Sequence, residues 1–176
     1  MLVKEKLKVL IDENTLIGRI QELADQINEH YGTQEELTLV CILKGAIMFC
    51  TELCYYLKMP VKMEFVQLSS YGPAQKSSGE VSQISLKLPS FKDKNVLIVE
   101  DIIDTGLTIR FLRDFIDTKC LAKNVKIAAM FDKKCARKYD VQPDFYAFDV
   151  DDKFIVGFGL DYNELYRNLP YIGYFE

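Results

Sequence analysis

Apolar residues along the chain follow two patterns, a helical spacing of three and four residues and the short runs or alternation typical of strands. The helical spacing predicts helices at residues 16–27, 46–57 and 108–119. The strand patterns fall at residues 37–43, 61–68, 96–99, 125–131, 145–148 and 154–158. Because strands and helices alternate with short connections, we expect right-handed crossovers and a mainly parallel sheet. The predicted fold class is therefore α/β, a twisted sheet flanked by helices, whose ligands bind beyond the carboxyl ends of the strands.

Length and composition predict a single domain. The chain has 176 residues, 49% of them hydrophobic, which is enough for one core. Its net charge of −4 leaves no basic face for a phosphate backbone, so nucleic acid is not an expected partner. The five cysteines show no paired metal-type spacing, and we predict that they are reduced and buried. Since no signal peptide and no membrane-spanning apolar run are recognisable, we expect a cytoplasmic protein.

The segment with the clearest chemistry is residues 96–108 (VLIVEDIIDTGLT), where two carboxylates, a third carboxylate and a T-G-x-T turn follow an apolar strand. These residues are Glu100, Asp101, Asp104, Thr105, Gly106, Leu107 and Thr108. Gly106 permits a tight turn, and the free amides at a helix start, with the threonine hydroxyls, suit a phosphate. Carboxylates beside an anion site must face something else, and sugar hydroxyls or hydrated Mg²⁺ are what they bind. The segment therefore favours a phosphorylated ribose with a metal over an ordinary helix cap.

This block resembles the diphosphate-ribose signature of the phosphoribosyltransferase family, and the resemblance covers nearly the whole chain, nearest to the hypoxanthine-guanine branch. It implies a type I phosphoribosyltransferase fold, with a core at residues 35–150 and a small base-binding hood made by the N-terminal segment and residues 151–176. Glu100 and Asp101 would hold the ribose hydroxyls, and Asp104 would share a proton with the purine imidazole. Position 107 is Leu, where some relatives have Lys or a polar residue.

Two segments resemble the leaving-group side of the family's site. Lys44 and Gly45 resemble the pyrophosphate loop, whose backbone groups face the diphosphate, often through a cis peptide bond. Independently of the family, Lys44 lies between a buried strand and a helix start, where its charge and the helix start both favour an anion. Residues 69–82 resemble the mobile lid, with Ser70 and Tyr71 at its start, although their composition alone favours a plain hairpin loop.

Two further segments resemble the base-binding parts. In residues 131–134 (FDKK), the lysine that bonds a 6-oxopurine would be Lys133, with Lys134 as the alternative register. Residues 152–167 (DKFIVGFGLDYNELYR) would supply a ring that stacks on the purine, backbone groups at the base edge, a carboxylate for a second metal and a pyrophosphate arginine. Phe154 would stack on the purine, and the backbone near Ile155 and Asp161 would face the base edge. The Asp161 carboxylate would bind the second metal, and Arg167 would contact pyrophosphate. For any single aromatic residue, burial in the core is the ordinary explanation.

The resemblance implies a reaction in purine salvage. N9 of hypoxanthine or guanine would displace pyrophosphate from 5-phosphoribosyl 1-pyrophosphate, giving IMP or GMP. Mg²⁺ is the implied cofactor, and Glu100, Asp101 and Asp161 are its candidate carboxylates. Relatives form dimers or tetramers, so a homodimer or homotetramer is expected, with helix 46–57 either at an interface or in the core.

Alternative functions remain open from the sequence. An adenine- or xanthine-preferring transferase would share the ribose-phosphate block. Lys133 disfavours adenine, because it would donate to a 6-oxo group, whereas xanthine stays open. A non-catalytic nucleotide sensor that binds RNA would display a basic surface and often lose the lid or the base lysine, and this acidic chain keeps both. A Rossmann oxidoreductase is disfavoured because no G-x-G-x-x-G follows a strand.

Overall fold

The computed structural model of the chain describes residues 7–68 and 88–176. In chain order its helices and strands are β1 (Leu7–Ile11), α1 (Glu13–Tyr31), β2 (Leu37–Leu43), α2 (Ile47–Tyr56), β3 (Val61–Gln67), β4 (Asn95–Ile103), α3 (Leu107–Lys119), β5 (Asn124–Asp132), β6 (Phe145–Asp149), β7 (Ile155–Val156) and β8 (Ile172–Phe175). A turn of 3₁₀ helix, Lys134–Ala136, follows β5. Helix α1 begins after Asp12, whose carboxylate accepts hydrogen bonds from the amide and hydroxyl of Thr15 at 3.0 and 2.8 Å. Asp12 is therefore the N-cap.

Five parallel strands form the main sheet, in the order β3-β2-β4-β5-β6. The predicted α/β class with a mainly parallel sheet is confirmed. Strand order reverses between β2 and β4, because the chain moves outward from β2 to β3 and then returns to the other side of β2. In open α/β sheets, the crevice at such a reversal is where ligands bind.

The sheet is buried on both faces, which explains why its central strands are continuous apolar runs. In β2, Leu39 and Cys41 pack into one core with α1 and α2, while Val40 and Ile42 pack into a second core with α3. In β4, Leu97 and Val99 share the first core, and Val96 and Ile98 share the second. Both cores hold the central strands rigidly, so their carboxyl ends form a fixed base for a site.

Strand β4 is longer than the sequence pattern predicts. The apolar run ends at Val99, but the strand continues through Glu100 and Asp101 to Ile103. Its pairing with β2 stops at Val99, whereas its pairing with β5 continues to Ile103. The two acids therefore lie within the strand rather than after it, at a point where β4 is no longer paired with β2.

A second, antiparallel sheet of three strands, β1-β8-β7, joins the two ends of the chain. The sequence pattern predicts neither β1 nor β8, and the strand predicted at residues 154–158 is reduced to Ile155–Val156. The reason is tertiary: Leu7 pairs with Phe175, and no local pattern records a partner so far away in the chain.

The five cysteines form no disulfide, and three of them, Cys41, Cys50 and Cys120, are buried. Cys54 is half-buried and Cys135 is exposed, so the prediction that all five are buried is wrong for these two. Cys135 lies in the 3₁₀ turn after β5, outside the sheet that covers the others. Among the described residues, no helix combines the length and apolar character that crossing a membrane requires.

Candidate active site

A cavity of about 290 Å³ opens at the carboxyl ends of β2 and β4. Its walls come from the end of β2, the end of β4, the turn into α3, and the segment between β7 and β8. Ten of the residues predicted from the sequence line it: Lys44, Gly45, Glu100, Asp101, Asp104, Thr105, Gly106, Thr108, Asp161 and Arg167. The fold thus brings four separate parts of the chain to one place.

The loop after β2 packs directly against the acids of β4. The Leu43–Lys44 peptide bond is cis. A Cβ atom at Gly45 would overlap the carboxylate of Asp101, so only glycine allows this close approach. The Lys44 side chain is about half exposed, and its ammonium lies 2.8 Å from Glu164. One cationic side chain and one glycine backbone therefore form this wall.

The acidic pair carries charge that the protein only partly compensates. Glu100 is buried, and one of its oxygens accepts a hydrogen bond from the Asp101 amide at 3.3 Å. Burial raises the pKa of Glu100 well above its ordinary value, and the neighbouring Asp101 charge raises it further. Burial also raises the pKa of Asp101, although its hydrogen bonds and the Arg167 charge act in the opposite direction. Such a pair is stabilised by a cation or by hydroxyl donors.

The turn between β4 and α3 presents the start of a helix to the cavity. Gly106 has φ = 86° and occupies the N-cap position without a side-chain cap, which leaves amides at the helix start available. Thr105 and Thr108 line the same wall. Asp104 is exposed, and within the described residues its carboxylate has no hydrogen-bond or ion-pair partner. The turn therefore combines an anion site with an unengaged carboxylate.

Arg167 lies in the segment between β7 and β8 that lines the cavity, in a network with two acids. Its guanidinium contacts Asp161 at 2.8 Å and Glu164 at 3.3 Å, and it donates to the Gly159 carbonyl at 2.7 Å. Its buried Nε has no partner in the described part of the chain. A buried N–H donor without an acceptor, at the wall of a cavity, is suited to an anionic ligand.

Of the four residues predicted to bind the base, Asp161 lines this cavity, whereas Lys133, Phe154 and Ile155 lie outside it. The Lys133 side chain is 15% exposed, and its ammonium lies 2.8 Å from Asp152. The Phe154 ring is 58% exposed and meets Tyr162 edge to face at 5.6 Å, while Ile155 is buried. Lys133 is nevertheless tied to the site, because its amide donates to the carbonyl of Ile103, at the end of β4, at 3.0 Å.

Comparison with known proteins agrees with this geometry. Residues 10–163 match the family model described as phosphoribosyl transferase domain. A hypoxanthine-guanine phosphoribosyltransferase of Streptococcus thermophilus is 42% identical over 173 residues, covering 98% of this chain and 95% of that protein. The chain belongs to the hypoxanthine-guanine phosphoribosyltransferase family.

Two solved structures of the family superimpose over almost the whole chain. A hypoxanthine-guanine phosphoribosyltransferase from Bacillus anthracis has a TM-score of 0.89 at 36% identity and covers 98% of this chain and 100% of that one. A hypoxanthine phosphoribosyl transferase of Trypanosoma cruzi also has a TM-score of 0.89, at 34% identity, covering 100% of this chain and 94% of that one.

Some predicted site residues of this family member are placed differently or lie outside the described residues. Leu107 is 39% exposed and does not line the cavity, so its side chain has no contact there that would support a role in binding phosphate. Ser70 and Tyr71, with the predicted lid at residues 69–82, lie outside the described residues. Within the described residues, no three acids, histidines or cysteines converge as a metal site, although Glu100, Asp101 and Asp161 all line the cavity.

Two residues beside the cavity are not revealed by the sequence pattern. Glu164 bridges the Lys44 ammonium and the Arg167 guanidinium. Arg137 donates to backbone carbonyls at the end of β4. The only sequence signal for Arg137 is an arginine four positions after the predicted base lysine, and such a spacing has many ordinary explanations.

Proposed function

We propose that this chain transfers the 5-phosphoribosyl group of 5-phosphoribosyl 1-pyrophosphate to N9 of hypoxanthine or guanine, giving IMP or GMP and pyrophosphate. The observation that carries the proposal is the single cavity lined by the β4 acids, the phosphate turn, Lys44 and Arg167. Its opposite walls offer sites for a sugar, a phosphate monoester and a diphosphate. That combination fits a phosphorylated sugar with a diphosphate leaving group.

The sugar side is supported by the β4 wall. Glu100 and Asp101 would accept hydrogen bonds from the ribose hydroxyls, which relieves a buried pair whose pKa values are raised by burial. Thr105, Thr108 and the helix-start amides would hold the 5-phosphate. Leu107 is given no role beyond its backbone amide, which interacts weakly with the Thr105 hydroxyl at 3.4 Å.

The leaving-group side is supported by the two cations. Lys44 and Arg167 both line the cavity and lie close together, because both pair with the same carboxylate of Glu164, at 2.8 and 3.3 Å. A bound diphosphate would replace Glu164 as their partner. Their charge, together with the Gly45 backbone, would stabilise negative charge that develops on the diphosphate as its bond to C1 breaks.

The residues present fit Mg²⁺. Hard oxygen ligands are what this ion prefers, and Asp101 and Asp161 present carboxylates to the cavity together with buried Glu100. Since the described acids do not converge as a closed site, the diphosphate, ribose hydroxyls and water would supply most ligands. When bound, Mg²⁺ would neutralise the leaving diphosphate.

The base side is supported by the contacts of two neighbouring lysines. Lys134 is engaged elsewhere, at 2.6 Å from Asp149 and over the ring of Tyr146 at 4.9 Å. Lys133 is partly buried beside the end of β4, and we assign it the 6-oxo group and N7 of the purine. The exposed Phe154 ring would stack on the base, and the backbone near Ile155 and Asp161 would read the base edge.

Asp104 is the candidate for the proton. Its carboxylate is exposed and unengaged among the described residues, and it lies on the cavity wall. As the bond to pyrophosphate breaks, positive charge develops at C1, and the attacking purine loses the proton on its imidazole ring. Asp104 would accept that proton as a general base. The single histidine, His30, packs against Tyr31 and Phe145 away from the cavity and has no role.

The assembly and location of the protein are further proposals. We infer a homodimer or homotetramer, because α2 exposes Ile47, Met48 and Tyr55 on one element, with Tyr55 75% exposed. The Trypanosoma cruzi relative was studied for the effect of its C-terminal region on oligomeric state. Light scattering on the eluting protein tests this directly, and a monomer would contradict it.

A cytoplasmic location also stays a prediction. For the domain we propose a core at residues 35–150, a hood built on the β1-β8-β7 sheet, and a lid at residues 69–82.

The deciding experiment incubates the protein with 5-phosphoribosyl 1-pyrophosphate, Mg²⁺ and one base at a time, and separates the nucleotides by chromatography. We expect IMP and GMP, little or no AMP, and loss of product without Mg²⁺. An arm with xanthine decides a specificity that the backbone atoms of the hood control. Absence of product with hypoxanthine, guanine and xanthine alike would refute the proposed activity, and AMP as the main product would refute the role of Lys133.

A further inference from the structure

Arg137 lies just outside the cavity and makes four polar contacts through one side chain that is only 15% exposed. Its Nε donates to the carbonyl of Asp104 at 3.0 Å, and one terminal nitrogen donates to the carbonyl of Ile103 at 3.1 Å. The other terminal nitrogen donates to the carbonyl of Val141, and the guanidinium pairs with the buried carboxylate of Asp132. The fork of Arg137 therefore joins the end of β4, the end of β5 and the loop before β6.

The segment around Arg137 binds the same stretch of backbone. The amides of Lys138 and Tyr139 donate to the carbonyl of Thr105 at 3.0 and 3.1 Å, and the amide of Lys133 donates to that of Ile103 at 3.0 Å. Three consecutive carbonyls, at residues 103–105, thus accept hydrogen bonds from residues 133–139. Arg137 supplies the bond to the middle carbonyl, which belongs to Asp104.

These contacts hold the backbone of Asp104 in place, whereas its side chain makes no contact in the described chain that would do so. Among the described residues the Asp104 carboxylate has no partner, so its position depends on the backbone that carries it. Arg137 binds that backbone on the carbonyl side and so restrains the main chain from which the carboxylate extends. A guanidinium can donate in three fixed directions at once, whereas an ammonium is a point donor on a flexible chain.

We propose that Arg137 is a positioning residue for the transfer reaction, which holds Asp104 in register with the ribose site and with Lys133. The inference rests on the proposed function. It assigns Arg137 no contact with substrate. Its contribution is geometric: Asp104 must meet the imidazole ring of the purine while Lys133 meets the 6-oxo group and N7, and Arg137 links the two segments that carry them.

Steady-state kinetics of Arg137→Lys and Arg137→Gln test this, with Arg113→Lys as the matched control. Arg113 lies on α3, and its contact is a long one of 3.9 Å to Asp114. We expect Arg137→Lys to lower kcat by about 10-fold or more, since small misplacements of catalytic groups have effects of this size, with KM values changed by less than about threefold. Arg113→Lys leaves both unchanged. Rates are compared well below each variant's melting temperature, so that loss of fold does not imitate loss of position.

A double-mutant cycle with Asp104→Asn separates positioning from a structural role. If Arg137 acts through the Asp104 carboxylate, Arg137→Lys lowers turnover in the wild-type background and by less than about twofold in the Asp104→Asn background, measured in single turnovers with enzyme in excess. Equal factors in both backgrounds, or an unchanged kcat in Arg137→Lys, would overturn the inference. A wild-type protein without product would instead overturn the proposed function.

Discussion

The ammonium of Lys133 lies 2.8 Å from a carboxylate oxygen of Asp152, in a pair of one largely buried cation and one exposed anion. The hydrogen bond to Asp152 raises the pKa of Lys133, and the same bond lowers the pKa of Asp152. The base lysine is therefore not free. A purine oxygen must compete with Asp152 for it.

Asp152→Asn is expected to strengthen binding of the base. Because the pair is exposed on the Asp152 side, its net stabilisation is small, and we expect KM for hypoxanthine to fall by about two- to fivefold with kcat little changed. Asp151→Asn is the control, since Asp151 is also exposed and has no ion pair in the described chain. An increase in KM for the Asp152 variant would show that Asp152 holds Lys133 in place for the purine.

Gly45→Ala is expected to lower activity, whereas Gly18→Ala is expected to raise thermal stability and leave activity unchanged. A Cβ at Gly45 would overlap the carboxylate of Asp101, so either that carboxylate or the loop must move out of place, and we expect kcat/KM to fall by about 100-fold. Gly18 lies within α1 with open space around it, and alanine there is expected to raise Tm by about 2–4 °C with activity unchanged. Thermal melts and initial rates on both variants check this. Equal activity in the two variants would refute the role of Gly45.

Glu100→Gln is expected to stabilise the protein while it damages the site. The folded state raises the pKa of Glu100, so the stabilising protonated form is present below the ordinary value of 4.5 and is lost as pH rises. Glutamine stays neutral, so the Tm gain should grow from pH 5 to pH 8, reaching roughly 3–8 °C. Melts across this range in metal-free buffer measure it. A gain that is equal at every pH would contradict the assigned cause.

The same Glu100→Gln variant should bind 5-phosphoribosyl 1-pyrophosphate poorly. A hydrogen bond from a sugar hydroxyl to a carboxylate is stronger than one to an amide, and we expect kcat/KM for this substrate to fall by about 10- to 100-fold. Wild-type kcat/KM in the variant would remove Glu100 from the sugar site.

Asp104→Asn is expected to lower turnover far more than substrate binding. General bases commonly contribute about 100- to 10,000-fold, so kcat should fall by at least about 100-fold while KM values change by less than about fivefold. Asp117→Asn on the exposed side of α3 serves as the control. A rate constant unchanged within error would show that the proton leaves by another route.

The sequence reveals the main elements because they depend on local spacing. The apolar runs of β2 and β4 reflect burial on both faces of the sheet, and α1 and α3 carry apolar stripes at helical spacing. The segment of residues 96–108 also holds its chemistry in one contiguous block, so its acids and its phosphate turn are recognisable before folding.

What the sequence by itself determined is the α/β class and the block of acids and phosphate turn at residues 96–108, because both depend on neighbours within a few positions. The family, and with it Lys44, Gly45, Asp161 and Arg167, followed from a resemblance along nearly the whole chain. Only the tertiary structure decided that β4 continues beyond its pairing with β2, so that Glu100 and Asp101 line the cavity. It also joined β1 to β8, paired Lys133 with Asp152, and placed Arg137 on the carbonyl of Asp104. These contacts join residues from different strands and loops, and their partners are chosen by packing and hydrogen-bond geometry, which no local pattern records.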